Sequence, residues 1–128
     1  MKSAFITGAN KGIGFETAKQ LLQKGVQVYI GSRNLENGLQ AVKKLKVEGL
    51  SNVEAIQIEV TDDDSVKKAR TELGRKTDVL DILINNAGIN GGAPPYTALE
   101  SNSDQFMAAF DTNVFGVARV TKAFFDLL

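Results

Sequence analysis

Thr7-Gly8-Ala9-Asn10-Lys11-Gly12-Ile13-Gly14 follows at once on a short apolar run, residues 4–7, and leads into a segment whose Phe15, Ala18 and Leu22 repeat with helical period. A strand that turns on glycines into a helix puts the helix's unpaired N–H groups and partial positive charge at the turn. Glycines there let a diphosphate approach the backbone. This spacing, in the first βα unit, reads as a dinucleotide site, set against a tight turn without a ligand. A P-loop is excluded, because that motif needs Gly-Lys-Ser/Thr at the helix start, and here Lys11 precedes Gly12 while Ile13 and Gly14 follow.

Outward from this turn, runs rich in β-branched and aromatic residues at 26–30, 53–60 and 79–84 read as further strands. Helical periods lie between and after them: Leu35, Leu39, Val42, Leu45; then Val66, Ala69, Leu73; then Phe110, Val114, Val117, Phe124, Leu128. Strict alternation of strand and helix predicts an α/β fold with a Rossmann-type, doubly wound parallel sheet, right-handed crossovers and helices on both faces. The expected strand order is 3-2-1-4, in one domain spanning 1–128. Gly88, Gly91, Gly92, Pro94 and Pro95 mark a loop between the fourth strand and the last helix.

The 128 residues carry 15 Lys+Arg and 15 Asp+Glu, with no Cys, His or Trp. A disulfide framework, a thiolate or imidazole metal site, a Cys nucleophile and a Ser-His-Asp triad are therefore excluded. A net charge of zero, spread along the chain, gives no basic patch for nucleic acid or anionic lipid. No run approaches the ~20 apolar residues of a membrane span, and the opening apolar run is too short for a signal peptide. The expected location is cytoplasmic.

The glycine spacing is Gly-x-x-x-Gly-x-Gly, and the fourth strand runs into Asn85-Asn86-Ala87-Gly88. Together these motifs resemble the N-terminal half of the short-chain dehydrogenase/reductases. Gly-Ala-Asn-Lys-Gly-Ile-Gly with Gly31-Ser32-Arg33 is most similar to the carbonyl-reductase branch. The resemblance covers the whole chain. It implies an NADP-dependent oxidoreductase that passes a hydride between nicotinamide and a ketone, aldehyde or secondary alcohol. Gly8, Asn10, Lys11, Gly12, Ile13 and Gly14 would hold the cofactor.

In dinucleotide folds an acidic residue at the end of the second strand accepts from the ribose 2′-hydroxyl of NAD. Here that end reads Ile30-Gly31-Ser32-Arg33-Asn34, without a carboxylate, and Arg33 offers a donor fork suited to a 2′-phosphate. Lys11 adds a second positive charge. Set against a reading of both as solvated surface cations, this favours NADP (NADPH) over NAD, with Ser32, Arg33 and Asn34 at the ribose. By resemblance, Glu59 stands where the family usually carries an Asp that contacts the adenine amino group, with the main chain of Val60 close by. The run Asp62-Asp63-Asp64 reads as carboxylates at a helix start capped by Thr61, with Asp64 three residues later, and not as a metal site.

Asn85 and Asn86 close a strand at the carboxyl edge where α/β sheets bind ligands. They either satisfy neighbouring backbone groups or, as the resemblance implies, also contact the cofactor through Asn86, Ala87 and Gly88. Asn113, a poor helix former, falls at the edge of the last apolar stripe and not on its wet face. It bonds a carbonyl or kinks the helix, or, by resemblance, holds a water in the proton relay beneath the catalytic Lys.

The family's catalytic Ser and Tyr-x-x-x-Lys are not found. Tyr29 lies in a strand and Tyr96 in the Gly/Pro loop, over the site mouth. The chain thus reads as half of the architecture, truncated before a fifth strand, with residues 79–84 at a bare sheet edge and one face of the last helix uncovered. The remaining expectations are a small-molecule carbonyl or alcohol substrate and a homodimer or homotetramer. The rival reading is a non-catalytic nucleotide-binding or interaction module made of this half alone.

Overall fold

The computed structural model describes residues 1–88 and 102–128; most of the Gly/Pro-rich stretch, and Tyr96, lie outside the described residues. Among these, β1 (Ser3–Ile6), β2 (Gln27–Ser32), β3 (Val53–Gln57) and β4 (Ile82–Ile84) form one parallel sheet in the order β3-β2-β1-β4. The expected order is the observed one. Helices α1 (Gly12–Gln23), α2 (Leu35–Val47) and α3 (Asp63–Lys76) connect successive strands. After β4 come α4 (Ser103–Phe110), a π-helical turn (Asp111–Phe115), α5 (Gly116–Phe124) and a 3₁₀ turn (Phe125–Leu127).

The pleat sends alternate residues to opposite faces, and both faces are covered. Phe5, Tyr29, Ile56 and Ile58 pack with Val66, Ala69 and Leu73 of α3 and with Val120 and Phe124 of α5. Ile6, Val28, Ile30 and Val53 pack on the other side with Ala18 and Leu22 of α1 and with Ala41, Val42 and Leu45 of α2. Phe5 and Phe124 stack with ring centroids 5.0 Å apart. Full burial of one such side chain stabilises by roughly 1.5–3 kcal/mol. Registers Ala4↔Val28 and Ala4↔Ile82 align the carboxyl ends of β1, β2 and β4, so the turns that leave them converge.

The structure corrects several local expectations. β3 leaves the ladder after Gln57, not at Val60, because the Glu59 N–H donates to Ser65 Oγ at 2.8 Å while Ile58 N–H still reaches the Ser32 carbonyl at 2.9 Å. The fourth strand is only Ile82–Ile84; Val79 is exposed and the Leu80 N–H donates to the Leu127 carbonyl at 2.8 Å. On α2 the buried line is Gly38, Ala41, Val42 and Leu45, with Leu35 and Leu39 about half exposed. Gly38 explains the rotation: a Cβ there would lie 3.2 Å from Ser32 Cβ and 3.3 Å from Ala55 Cβ, so the helix sits close on the sheet along its small residues.

In the last helical segment the buried line is Thr112, Gly116, Val120 and Phe124; Phe110, Val114 and Leu128 are about half exposed. The Gly116 N–H bonds the Asp111 carbonyl, the i→i+5 pattern of a π turn, and the extra residue shifts the phase of the stripe. Asn113 is accordingly exposed, contrary to its expected place beside the core.

Candidate functional site

Gly8 (φ +63°) and Gly12 (φ +64°) both take the left-handed conformation that L side chains resist. A Cβ on Gly8 would lie 2.9 Å from Ala87 Cα, and one on Gly14 would collide with Asn86 Nδ2. Those two glycines let the β1–α1 turn lie against the chain leaving β4. Gly12 differs, since a Cβ there would meet nothing within 4 Å. Its surroundings are open.

Helix α1 begins without a side-chain cap at Lys11 and without an acid in its first turn. Its first helical bond runs from Phe15 N–H to the Lys11 carbonyl at 3.4 Å, so the amides of Gly12, Ile13 and Gly14 precede the ladder. By contrast α2 is capped by Asn34, whose Oδ1 accepts from Asn37 N–H at 3.1 Å. α3 is capped by Asp62, whose Oδ1 accepts from Asp64 N–H at 2.9 Å and Ser65 N–H at 3.3 Å. Asp62 therefore replaces the expected Thr61 cap, because the Thr61 hydroxyl donates to the Glu59 carboxylate at 2.9 Å. Of these three helices only α1 leaves its first amides without a side-chain cap, at the end that carries the helix's partial positive charge.

The opposite wall is Asn86, Ala87 and Gly88, held from behind by Thr7. Thr7 Oγ1 accepts the backbone N–H groups of Asn86 at 3.0 Å and Ala87 at 3.1 Å. Asn86 Nδ2 donates to the Gly8 carbonyl at 3.0 Å, and Asn85 Nδ2 to Thr121 Oγ1 at 3.1 Å. Both amides therefore carry structural bonds. A Cβ on Gly88 would lie 3.1 Å from Asn113 Oδ1, which brings the π turn against this wall.

At the end of β2, Ser32 is buried and its hydroxyl donates to the Asn34 carbonyl at 2.8 Å. Arg33 and Lys11 are exposed, and among the described residues neither takes part in an ion pair. The whole arrangement encloses a cleft of about 270 Å³, lined by Gly8, Asn10, Lys11, Gly12, Arg33, Glu59, Val60, Asn86, Ala87 and Gly88, with Ile58 and Thr112. Ile13, Gly14, Ser32, Asn34 and Asn113 do not line it. A larger groove, about 850 Å³, runs between α3 and α5, away from the strand ends.

Residues 2–128 match the family model described as short chain dehydrogenase. The chain belongs to the short-chain dehydrogenase/reductase family. It is 41% identical over 124 residues to short-chain dehydrogenase anuI of Penicillium roqueforti, covering 96% of this chain and 48% of that protein. It is 38% identical over 144 residues to short-chain dehydrogenase/reductase 1 of Saponaria officinalis, covering 98% and 48%. Among solved structures, the RhlG/NADP active-site complex of Pseudomonas aeruginosa superposes with a TM-score of 0.88 at 30% identity, covering 99% of this chain and 48% of that one. The chain spans about half the length of the curated relatives it matches.

In this short-chain dehydrogenase/reductase chain Tyr29 is 3% exposed and sits in the core. Burial above all, with the Glu54 carboxylate adding to it, pushes its hydroxyl pKa up, which is the wrong direction for an acid/base. Among the described residues there is no cluster of side chains able to hold a metal, and no helix is long and apolar enough to cross a membrane. Sequence reasoning missed Thr7 as a ligand of the β4 exit, Ile58 and Thr112 as lining, and Arg119. A Thr at the end of a buried strand, just before the first glycine, is a readable signal for Thr7. Arg119 reaches across 59 positions to the Val60 carbonyl at 2.6 Å and has no local signal.

Proposed function

We propose that the natural protein is an NADP-dependent oxidoreductase that transfers a hydride between nicotinamide and a carbonyl or secondary alcohol carbon of a small molecule, with this chain as its nucleotide-binding half. One observation carries the reading: the uncapped start of α1 opens into a cleft rimmed by two cations, Lys11 and Arg33, that take part in no ion pair among the described residues, with no carboxylate at the end of β2. The open, left-handed Gly12 fits a diphosphate passing over the backbone. The similar RhlG structure is a complex with NADP, and a similar actinorhodin polyketide ketoreductase was crystallised with NADPH. Other relatives carry the names salutaridine reductase and (+)-neomenthol dehydrogenase.

In this reading the amides of Gly12, Ile13 and Gly14 face the diphosphate, with Gly8 and Asn10 shaping the turn. Lys11 and Arg33 neutralise the 2′-phosphate, and Ser32 and Asn34 fix the backbone that presents Arg33. Glu59 and Val60 wall the adenine, while Asn86, Ala87 and Gly88 border the nicotinamide side. Asn113, set against Gly88, orients a water of the proton relay. NADP, when bound, supplies or accepts the hydride. The relay's Ser and Tyr-x-x-x-Lys belong to the part of the natural protein that corresponds to the other half of the relatives. The exposed Phe106, Met107, Phe110, Val114 and Phe115 give a homodimer or homotetramer its contact surface. The location is cytoplasmic.

Fluorescence titration of the natural protein with NADPH and NADH, followed by ketone-dependent NADPH oxidation, tests the reading. Tighter NADPH binding with carbonyl turnover is the expected result. Binding without turnover on any carbonyl or alcohol would favour a nucleotide-binding module, and no binding of either nucleotide would overturn the proposal.

A further inference from the structure

We infer that Arg119 is a positioning residue that sets the adenine wall of the cleft from behind, through the Val60 carbonyl. The inference rests on the nucleotide reading above. In a dinucleotide fold the first βαβαβ half takes the adenosine side, so the chain leaving β3 beyond β2 is the wall that an adenine meets. Here that wall is Ile58, Glu59 and Val60; the ladder's last bond, from Ile58 N–H to the Ser32 carbonyl, and the Glu59 N–H bond to Ser65 Oγ hold its start, but at Val60 strand pairing no longer fixes it.

Two residues one turn apart on α5 fix it instead. Gly116 approaches so closely that a Cβ there would lie 2.9 Å from Val60 Cγ2. Arg119 Nη1 donates to the Val60 carbonyl at 2.6 Å. The other two nitrogens of the same guanidinium are also engaged, Nε with Asp63 Oδ1 at 2.8 Å and Nη2 with Asp111 Oδ1 at 3.4 Å. The planar fork therefore ties the start of α3, the start of the π turn and the adenine wall to one point. Holding the Val60 carbonyl fixes the peptide plane after Val60, and with it the angle at which residues 58–60 face the cleft. With all three nitrogens bonded in this way and two carboxylates beside it, Arg119 acts on the nucleotide through Val60 and not as a phosphate ligand.

The test uses the natural protein and its Arg119→Ala and Arg119→Lys variants, with NADPH, adenosine 2′,5′-bisphosphate and reduced nicotinamide mononucleotide as separate ligands, read by calorimetry. Removing a charge-assisted hydrogen bond from the wall is expected to weaken adenosine 2′,5′-bisphosphate and NADPH by about tenfold or more in Arg119→Ala. Reduced nicotinamide mononucleotide should change by less than about twofold, a split that general loosening of the fold would not produce. Arg119→Lys keeps a cation and a donor group but loses the planar fork, so its loss should be intermediate. Unchanged binding of adenosine 2′,5′-bisphosphate in both variants, or equal losses for the two half-ligands, would overturn the inference while leaving the nucleotide reading intact. Failure of the unsubstituted protein to bind either adenine ligand would overturn both.

Discussion

The side-chain amide of Asn86 lies directly against the backbone of Gly14 and is held there by its 3.0 Å bond to the Gly8 carbonyl. The two ends of the glycine motif and the exit from β4 are thus one packed unit. A methyl group at position 14 would also crowd the Gly8 carbonyl at 2.9 Å and Ala9 Cα at 3.0 Å, so the amide and the turn must both shift. Overpacking of this kind costs ~1–3 kcal/mol. Gly14→Ala is expected to lower the urea midpoint of the natural protein accordingly and to weaken NADPH binding by roughly tenfold or more. An unchanged midpoint and affinity would show that the turn is looser than the packing describes.

Arg33 and Lys11 line the cleft and, unlike Arg119 behind it, have no carboxylate partner among the described residues. A 2′-phosphate is the feature that separates NADPH from NADH, and a charge-assisted bond to it is worth ~1.5–3 kcal/mol. Arg33→Ala should therefore weaken NADPH roughly tenfold or more while moving NADH by less than about twofold. Added salt should erode the NADPH preference in the unsubstituted protein. Equal losses for both nucleotides would leave Arg33 a surface charge.

What the sequence made legible was what local pattern encodes. Strand alternation made the parallel sheet with two covered faces legible, and the glycine spacing located the turn in which Gly8, Gly12 and Gly14 are now seen to serve different needs. Helix phase was less legible where small residues make the contact. Leu35 and Leu39 dominate any reading of α2 by apolar size, yet Gly38 and Ala41 face the sheet because they allow close approach. The π turn at Asp111–Phe115 was illegible for a related reason: periodicity assumes a constant number of residues per turn, and one extra residue moved Asn113 to the surface. The Arg119 clamp, finally, depends on contacts remote in sequence, to which local pattern is blind.

Thr7 is 1% exposed, and its hydroxyl accepts two backbone N–H groups, those of Asn86 and Ala87. Thr7→Val keeps the shape and removes the acceptor, leaving those two donors unpaired. Each unsatisfied buried donor costs ~1–3 kcal/mol, so a loss of about 2 kcal/mol or more is expected in equilibrium unfolding of the natural protein. Thr7→Ser retains the oxygen and should recover most of it. A Thr7→Val variant as stable as the parent would show that water replaces the hydroxyl and that the bond does not hold the wall.

Asp126 and Arg70 tie the 3₁₀ turn to α3 through a two-point pair, Nε to Oδ1 at 2.9 Å and Nη2 to Oδ2 at 2.8 Å. The hydrogen-bonded guanidinium holds the Asp126 carboxyl below its ordinary pKa. Because the folded-state value is depressed, the associated stability is present above the ordinary carboxyl pKa and is lost as pH falls through the folded value. In Arg70→Ala the Asp126 carboxyl, followed by carbon-detected NMR, should titrate higher, back toward the ordinary range. The decline in stability on acidification should then be shallower. Asp126→Ala should flatten the same acid limb, and the double substitution should flatten it no further. The carboxylate is largely exposed, so the effect should be small and should fade with added salt. If Asp126 titrates at its ordinary value in the parent protein, the pair does not form in solution and does not tie the 3₁₀ turn to α3.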